Sequence, residues 1–284
     1  MTGGGRGLGR AYCTMLAGHG AKVVVNDLGA ARDGSGGDAG PAAEVVDEIV
    51  AAGGQAVANT DDVSTWEGAA NLVRQAVDTF GGLDVLVNNA GILRDGMLFN
   101  LSEDDWDAVI RVHLKGTFAT SRHAAAYWRQ RAKEGATNDA RIVNTSSMSG
   151  LYGNVGQANY GAAKAGIAAF TQIAADELGR YGVTVNAIAP GANTRMTDDL
   201  TLPDEMRSKF DPRWAAPLVT WLASTRSADV TGQVVESSGL VFAVAEGWRR
   251  GPGADPVEDP EALEPVLRRL LAEARPRTTA ADIL

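Results

Sequence analysis

The chain reads as an α/β protein built on a doubly wound parallel sheet. Three observations predict this. Short valine-rich runs recur along the 284 residues, longer amphipathic stretches lie between them, and Gly or Pro punctuates the junctions. Parallel strands need crossover connections, so a regular strand–helix alternation implies one parallel sheet with helices on both faces.

The elements follow in chain order. Residues 1–10 (MTGGGRGLGR) carry the spacing Thr2-Gly3-x-x-x-Gly7-x-Gly9. Such glycines let a backbone turn tightly and approach a pyrophosphate at a helix N-terminus, where free N–H groups and the helix dipole favour an anion. A loose glycine-rich terminus is the alternative reading. Residues 22–27 (KVVVND) form a buried strand ending in Asp27. An acid at that place bonds the adenosine ribose and repels a 2′-phosphate, so Asp27 favours NAD over NADP, while Arg6 in the glycine loop argues the other way. Residues 28–40 are a Gly- and Asp-rich insertion. Residues 41–52 form a helix with Pro41 in its first turn, stopped by Gly53-Gly54. A short strand at 55–59, a helix at 66–80 and a buried strand at 83–87 (LDVLV) come next.

Residues 103–131 read as one long helix, capped by Ser102 with acids in its first turn. A strand at 141–146, a helix at 158–178, a strand at 182–188 and a last strand at 233–236 complete the series. Residues 193–214 are irregular and read as a substrate lid, with Met196, Met206 and Phe210 either lining it or packing in the core. The catalytic domain is expected over 1–250. A Pro- and charge-rich tail, 251–284, with a helix at 260–274, is expected to pack on that domain or on a neighbouring subunit.

Charge and composition exclude several classes. Lys and Arg number 26 against 35 Asp and Glu, a net charge of −9 that argues against a nucleic-acid binder. The lone Cys13 leaves no disulfide framework, and His19, His113 and His123 show no metal-ligand spacing, so no metal is expected. There is no apolar run of ~18 residues and no signal-like start. A soluble cytoplasmic protein acting on a small molecule is the expectation.

The chemistry centres on ANYGAAKAG (158–166), where Tyr160 and Lys164 lie one helical turn apart on one face. A free tyrosine, with a pKa of about 10, is a poor base at neutral pH. A neighbouring ammonium is expected to lower that value, so that the phenolate takes a proton from an alcohol while hydride leaves its carbon. Ser147, at the carboxyl end of a predicted strand, could hold the substrate oxygen. No serine stands in G-x-S-x-G, which argues against a hydrolase nucleophile.

Taken together, Thr2-Gly3-x-x-x-Gly7-x-Gly9, Asp62-Val63, Asn88-Asn89-Ala90-Gly91, Ser147, Tyr160-x-x-x-Lys164 and Pro190-Gly191 resemble the short-chain dehydrogenase/reductase family, in family order over residues 1 to 240. The resemblance implies a Rossmann-type single domain, a nicotinamide cofactor and alcohol–ketone redox chemistry. It implies Tyr160 as general acid/base, Lys164 as the group that lowers its pKa and binds the nicotinamide ribose, and Ser147 as holder of the substrate oxygen. Gly3, Gly7, Leu8 and Gly9 would meet the pyrophosphate, Asp27 the ribose, and Asp62 and Val63 the adenine. Asn89, Ala90, Gly91, Pro190, Gly191 and Ala192 would line the cofactor, with Asn88 bracing strands.

Within the family, VVVNDLG (23–29), VNNAGILRD (87–95), DWDAVIRVHLKGTF (105–118), SGLYGNVGQANY (149–160) and APGANTRMT (189–197) are similar to the (3R)-hydroxyacyl-CoA dehydrogenase part of multifunctional enzyme type 2 and its bacterial relatives. That similarity implies NAD-dependent oxidation of 3-hydroxyacyl-CoA to 3-oxoacyl-CoA. A steroid or polyketide ketoreductase is the alternative, and a catalytically silent or truncated paralogue serving as a subunit is the alternative of another class. Family members pair as homodimers or homotetramers through two long helices, here 103–131 and 158–178. Small residues Gly161, Ala162, Ala165, Gly166 and Ala169 on the second would allow close packing.

Two departures stand out. The family's asparagine that holds a proton-relay water is replaced by His113, which either substitutes for it or packs as a helix histidine. The family's first, central strand precedes the Thr-Gly motif, where this sequence has only Met1. A sheet lacking that strand is expected to leave its neighbours with unpaired backbone groups.

Overall fold

β-Branched runs become strands because their side chains suit a pleated surface packed on both sides. The structure, a computed structural model, describes residues 1–192, 208–276 and 278–279. Met1–Ala245 form one unit and Glu246–Leu284 a second.

In the first unit, β1 (Lys22–Asn26) pairs in parallel with β2 (Gln55–Asn59). A second sheet runs β3 (Val85–Asn88), β4 (Ala140–Thr145), β5 (Val183–Pro190) and β6 (Val234–Ser237), all parallel, and ends in an antiparallel edge strand, β7 (Phe242–Val244). Helix α1 (Gly7–Gly18) precedes β1, while α2 (Gly40–Ala51) and α3 (Trp66–Phe80) cross over from β1 to β2 and from β2 to β3. Then come α4 (Glu103–Ile110), α5 (Gly116–Lys133), α6 (Met148–Tyr152), α7 (Ala158–Leu178) and α8 (Ala216–Leu222). Every residue of β4 is buried, as a strand covered on both faces must be.

Helix ends obey local rules. Thr65 Oγ1 accepts from Gly68 N–H at 3.0 Å to cap α3, which stops at Gly81 with φ of 82°. Ser102 Oγ accepts from Asp105 N–H at 3.1 Å to cap α4.

Among the described residues, Met1 and Thr2 lie between β1 and β3. Thr2 N–H donates to Val87 O at 3.0 Å, Asn26 N–H donates to Met1 O at 2.9 Å, and the Met1 amino group donates to Val24 O at 3.1 Å. Two residues therefore stitch the two sheets at their carboxyl ends, beside the glycine loop. The expected orphaning of both neighbours is corrected there: Asn26 N–H and the Val24 and Val87 carbonyls all have partners. The Met1 side chain packs against both adjoining core clusters.

Several other expectations are revised. The predicted helix 103–131 is two helices joined by a π-helical turn, Arg111–Lys115, that carries His113. The edge strand β7 makes the sheet mixed rather than wholly parallel. Helices α6 and α8 are five and seven residues long, too short for periodicity to reveal. On α7, Gly161 and Gly166 meet neighbouring elements of the chain itself. A Cβ on Gly161 would lie 3.1 Å from Ser149 O, and one on Gly166 would lie 3.1 Å from Leu114 Cδ2. Ala162, Ala165 and Ala169 are exposed.

The insertion at 28–40 is folded back on the segment after β3. Leu93 N–H donates to Arg32 O at 3.0 Å, Arg94 Nε donates to Asp33 O at 2.8 Å, and Gly34 abuts Ile92. Met196 and Met206 lie outside the described residues. Phe210 is buried and faces Gly191, so it is core packing. In the second unit, α9 (Pro260–Glu273) is capped by Asp259, whose Oδ1 accepts from Glu261 N–H at 3.0 Å.

Among the described residues no helix is long and apolar enough to cross a membrane. No group of three or more His, Cys, Asp or Glu among them could hold a metal ion.

Candidate active site

The glycine loop is held by contacts that demand glycine. Gly3 has φ of 61°, and a Cβ there would lie 2.8 Å from Ala90 Cα. A Cβ on Gly9 would lie 1.9 Å from Gly3 O. Gly7 has φ of 49° and opens α1, whose N-cap Arg6 makes no side-chain cap. Leu8 turns its side chain into the core. Thr2 Oγ1 accepts from Asn89 N–H at 2.9 Å and Ala90 N–H at 3.0 Å, while Asn89 Nδ2 donates to Gly3 O at 3.0 Å. The loop and the Asn89-Ala90-Gly91 turn therefore form one rigid cradle with uncapped helical N–H groups at its floor. This fits a dinucleotide pyrophosphate.

Asp27 follows β1 and is already engaged. Its Oδ2 accepts from Gly5 N–H and its Oδ1 from Gly29 N–H, each at 2.8 Å. A carboxylate has about four acceptor sites, so ribose hydroxyls can still bind. Asp62 Oδ1 accepts from Ser64 N–H at 2.9 Å, and the Val63 side chain is buried among Val24, Leu72 and Ala76. Val63 can meet a ligand only through its backbone. Pro190 ends β5, and Gly191 N–H donates to Ser237 O at 2.8 Å, carrying the chain toward Ala192. Asn88 Nδ2 donates to Asn144 Oδ1 and to Ser121 Oγ, each at 2.9 Å, which braces β3 to β4 and α5.

At the carboxyl ends of β4 and β5 the Ser, Tyr and Lys side chains converge. Ser147 caps α6 by accepting from Ser149 N–H at 3.2 Å, and its hydroxyl acts on the Tyr160 phenol to favour the ionised form. Lys164 is 3 % exposed; its Nζ donates to Thr145 O at 2.6 Å and lies 5.5 Å from the Tyr160 ring centroid.

The expected lowering of the Tyr160 pKa by Lys164 is not what the free protein has. Burial pushes the phenol up to about 12, against the pull of its Ser147 hydrogen bond and with a further push from the Asp95 carboxylate. Burial also brings the Lys164 ammonium down to about 7. Two charged forms out of water are each disfavoured, so burial favours the neutral phenol and the neutral amine.

His113 sits in the π-turn, 1 % exposed, with its ring edge against Tyr160 at a centroid distance of 5.2 Å. Its Nε2 lies 3.0 Å from Ile92 N and 2.8 Å from Ile92 O, and its Nδ1 has no partner. Burial drops its pKa to about 3, so it is neutral. A Cβ on Gly91 would lie 2.3 Å from His113 Cε1. His113 is thus wedged between the turn that faces the cofactor cradle and the tyrosine.

Further residues join the site without having been singled out in the sequence. Asn159 Nδ2 donates to Arg94 O at 2.8 Å, and its Oδ1 accepts from Tyr160 N–H at 2.8 Å. Gln157 Nε2 donates to Asp95 Oδ2 at 2.8 Å. Tyr152 O–H donates to Glu236 Oε1 across the far side of the site. Proximity to Tyr160 along the chain was the only signal for Asn159 and Gln157. Asp95 and Glu236 had none, because they arrive from other elements.

The family model described as short chain dehydrogenase matches residues 1–204. Hydroxyacyl-CoA dehydrogenase ChsB1 of Mycobacterium tuberculosis is 52% identical over 245 residues, covering 82% of this chain and 74% of that protein. Peroxisomal multifunctional enzyme type 2 of Mus musculus is 45% identical over 248 residues, covering 87% of this chain but only 31% of that protein. A crystal structure of a short chain dehydrogenase from Mycobacterium avium superposes with a TM-score of 0.88 at 54% identity, covering 98% of this chain and 95% of that one.

Proposed function

We propose, from the premise that the chain belongs to the short chain dehydrogenase family, that it oxidises 3-hydroxyacyl-CoA to 3-oxoacyl-CoA with NAD. It is an oxidoreductase with a small-molecule substrate, and the family takes a nicotinamide dinucleotide. The observation that carries the reading is the meeting of Ser147, Tyr160 and Lys164 at the carboxyl ends of β4 and β5, beside a glycine cradle for the cofactor. The names of the relatives support the acyl-CoA substrate. Asp27 supports NAD, since a carboxylate there repels a 2′-phosphate.

In this reading Gly3, Gly7, Leu8 and Gly9 hold the pyrophosphate by backbone. Asp27 holds the ribose, and Asp62 and Val63 meet the adenine. Asn89, Ala90, Gly91, Pro190, Gly191 and Ala192 line the nicotinamide end. When bound, the oxidised nicotinamide supplies a hydride acceptor and one positive charge beside the phenol. Ser147 donates to the substrate oxygen and fixes its distance from Tyr160. Tyr160 takes the proton of the C3 hydroxyl as the C–H electron pair departs, leaving the C3 ketone. Lys164 bonds the nicotinamide ribose and, once protonated, favours the phenolate. His113 keeps the Gly91 turn at its distance from Tyr160. The protein works in the cytoplasm as a homodimer or homotetramer, with the exposed Ala162, Ala165 and Ala169 of α7 as contact points.

The test is Tyr160→Phe, assayed by NADH formation from 3-hydroxyacyl-CoA thioesters and by NAD-induced thermal shift. Turnover is expected to vanish while NAD still stabilises the fold. Loss of both marks Tyr160 as structural. A panel of acyl-CoA, sterol and simple alcohol substrates checks the class, and no NADH from any 3-hydroxyacyl-CoA overturns it.

A further inference from the structure

We propose that Asp95 sets the charge selectivity of this site: it disfavours anionic alcohols, such as free 3-hydroxy acids, and leaves neutral esters and thioesters to react. The inference rests on the reading of Tyr160 as the proton acceptor.

Asp95 follows the segment that His113 and the 28–40 insertion grip, and it is fastened to the first turn of α7. Gln157 Nε2 donates to Asp95 Oδ2 at 2.8 Å. The orientation of that amide is set from its other end, because Gln157 Oε1 accepts from Ser149 Oγ at 2.7 Å and from Asn154 Nδ2 at 3.0 Å. Ser149 in turn donates its N–H to the Ser147 hydroxyl at 3.2 Å. On the main chain, Gly96 N–H donates to Gly156 O at 2.8 Å, and Asn159 Nδ2 holds Arg94 O at 2.8 Å. The carboxylate is therefore tied at both sides and at its own oxygen to the residues that aim Ser147 and Tyr160. It is not a free loop side chain.

Among the described residues no cation offsets its charge. The adjacent Arg94 turns away, with Nη1 3.6 Å from Asp105 Oδ1 and Nε on Asp33 O at 2.8 Å. No Lys or Arg among the described residues forms an ion pair with Asp95. The carboxylate is exposed, yet close enough to strengthen the hold of the Tyr160 phenol on its proton. Any negative group carried by a substrate near the reacting carbon meets this field. The C1 carboxylate of a free 3-hydroxy acid lies two bonds from the hydroxyl-bearing carbon. A thioester at the same place is neutral and meets no repulsion. Like unit charges ~6 Å apart in water disfavour binding about threefold, and more where the dielectric is lower.

The experiment compares the full-length enzyme with Asp95→Asn, which can still accept the Gln157 hydrogen bond, and with Asp95→Ser. The readout is the ratio of kcat/KM for 3-hydroxybutyrate to kcat/KM for its neutral N-acetylcysteamine thioester. Both substrates use Tyr160, so a change in phenol basicity cancels in the ratio. Both variants are expected to raise the ratio at least about threefold at 10 mM salt. The gain should shrink at 1 M salt, where the screening length falls to ~3 Å. An unchanged or lowered ratio, or a gain that salt leaves untouched, overturns the proposal. If the parent enzyme oxidises no thioester, the substrate reading above fails separately. The same ratio is then taken from dissociation constants of acetoacetate and its methyl ester with NADH present, and an unchanged ratio there again overturns the role of Asp95.

Discussion

Replacing Gly91 with alanine should cost this protein far more than a surface methyl group would. The added Cβ would lie 2.3 Å from Cε1 of His113, where carbon atoms in contact sit ~3.5–4.0 Å apart. The ring must retreat by more than ~1 Å. It is held on Ile92 N at 3.0 Å and Ile92 O at 2.8 Å, and it lies edge-on to Tyr160. Overpacking a filled core costs about 1–3 kcal/mol, and leaving a buried hydrogen-bond partner unmatched costs about 1–3 kcal/mol more. Gly91→Ala should therefore lose about 2–6 kcal/mol, which lowers the midpoint of thermal unfolding by at least ~4 °C in a unit of this size. In a His113→Ala background the same methyl group has room. The double-mutant cycle, read by denaturant unfolding and by thermal melting, should give a coupling of about 2 kcal/mol or more. Additivity within ~0.5 kcal/mol would refute the wedge and with it the positioning role of His113.

Three further outcomes follow from the same contacts. Lys164 is depressed to about 7 by burial, so the unfolded chain binds more protons above that value, and this group's stability penalty is full below pH 7 and is relieved as pH rises toward its unfolded value. Lys164→Met should accordingly stabilise the free protein more at pH 6 than at pH 9, seen as a difference in melting midpoints between the two proteins; a difference independent of pH contradicts the depressed value. Thr2→Val removes the acceptor of two N–H groups, from Asn89 and Ala90, at a side chain that is 2 % exposed, and should destabilise by about 2–4 kcal/mol while raising the Kd for NAD; unchanged unfolding in urea contradicts it. Asp27→Asn should narrow the NAD-over-NADP ratio of kcat/KM at least tenfold by weakening ribose recognition and lifting the repulsion of a 2′-phosphate, and an unaltered ratio would point to Arg6 as the discriminating group.

Much of the molecule was legible without coordinates. Valine runs and glycine stops marked β1 to β5, and the Ser102 cap is short-range chemistry within four consecutive residues. The Tyr160–Lys164 spacing is a property of one helix, and Ser147 follows a strand, so the candidate trio was visible as well. The roles of Gly3, Gly7 and Gly9 follow from the tightness of one loop.

What tertiary structure decided are contacts between residues far apart in sequence, together with burial. Nothing in a single-helix reading of 103–131 shows that an inserted residue makes a π-turn at His113, because the extra residue matters only against Ile92 and Gly91. Asp95 reaches the site because Gln157 and Asn159 fasten its loop to α7. Met1 and Thr2 show their stitching role only once β1 and β3 flank them. The proton affinity of Tyr160 moved opposite to the sequence expectation, and that of Lys164 fell as well. Spacing sets which charges can meet, but the loss of water around them, which only the packed fold imposes, decides which charges form.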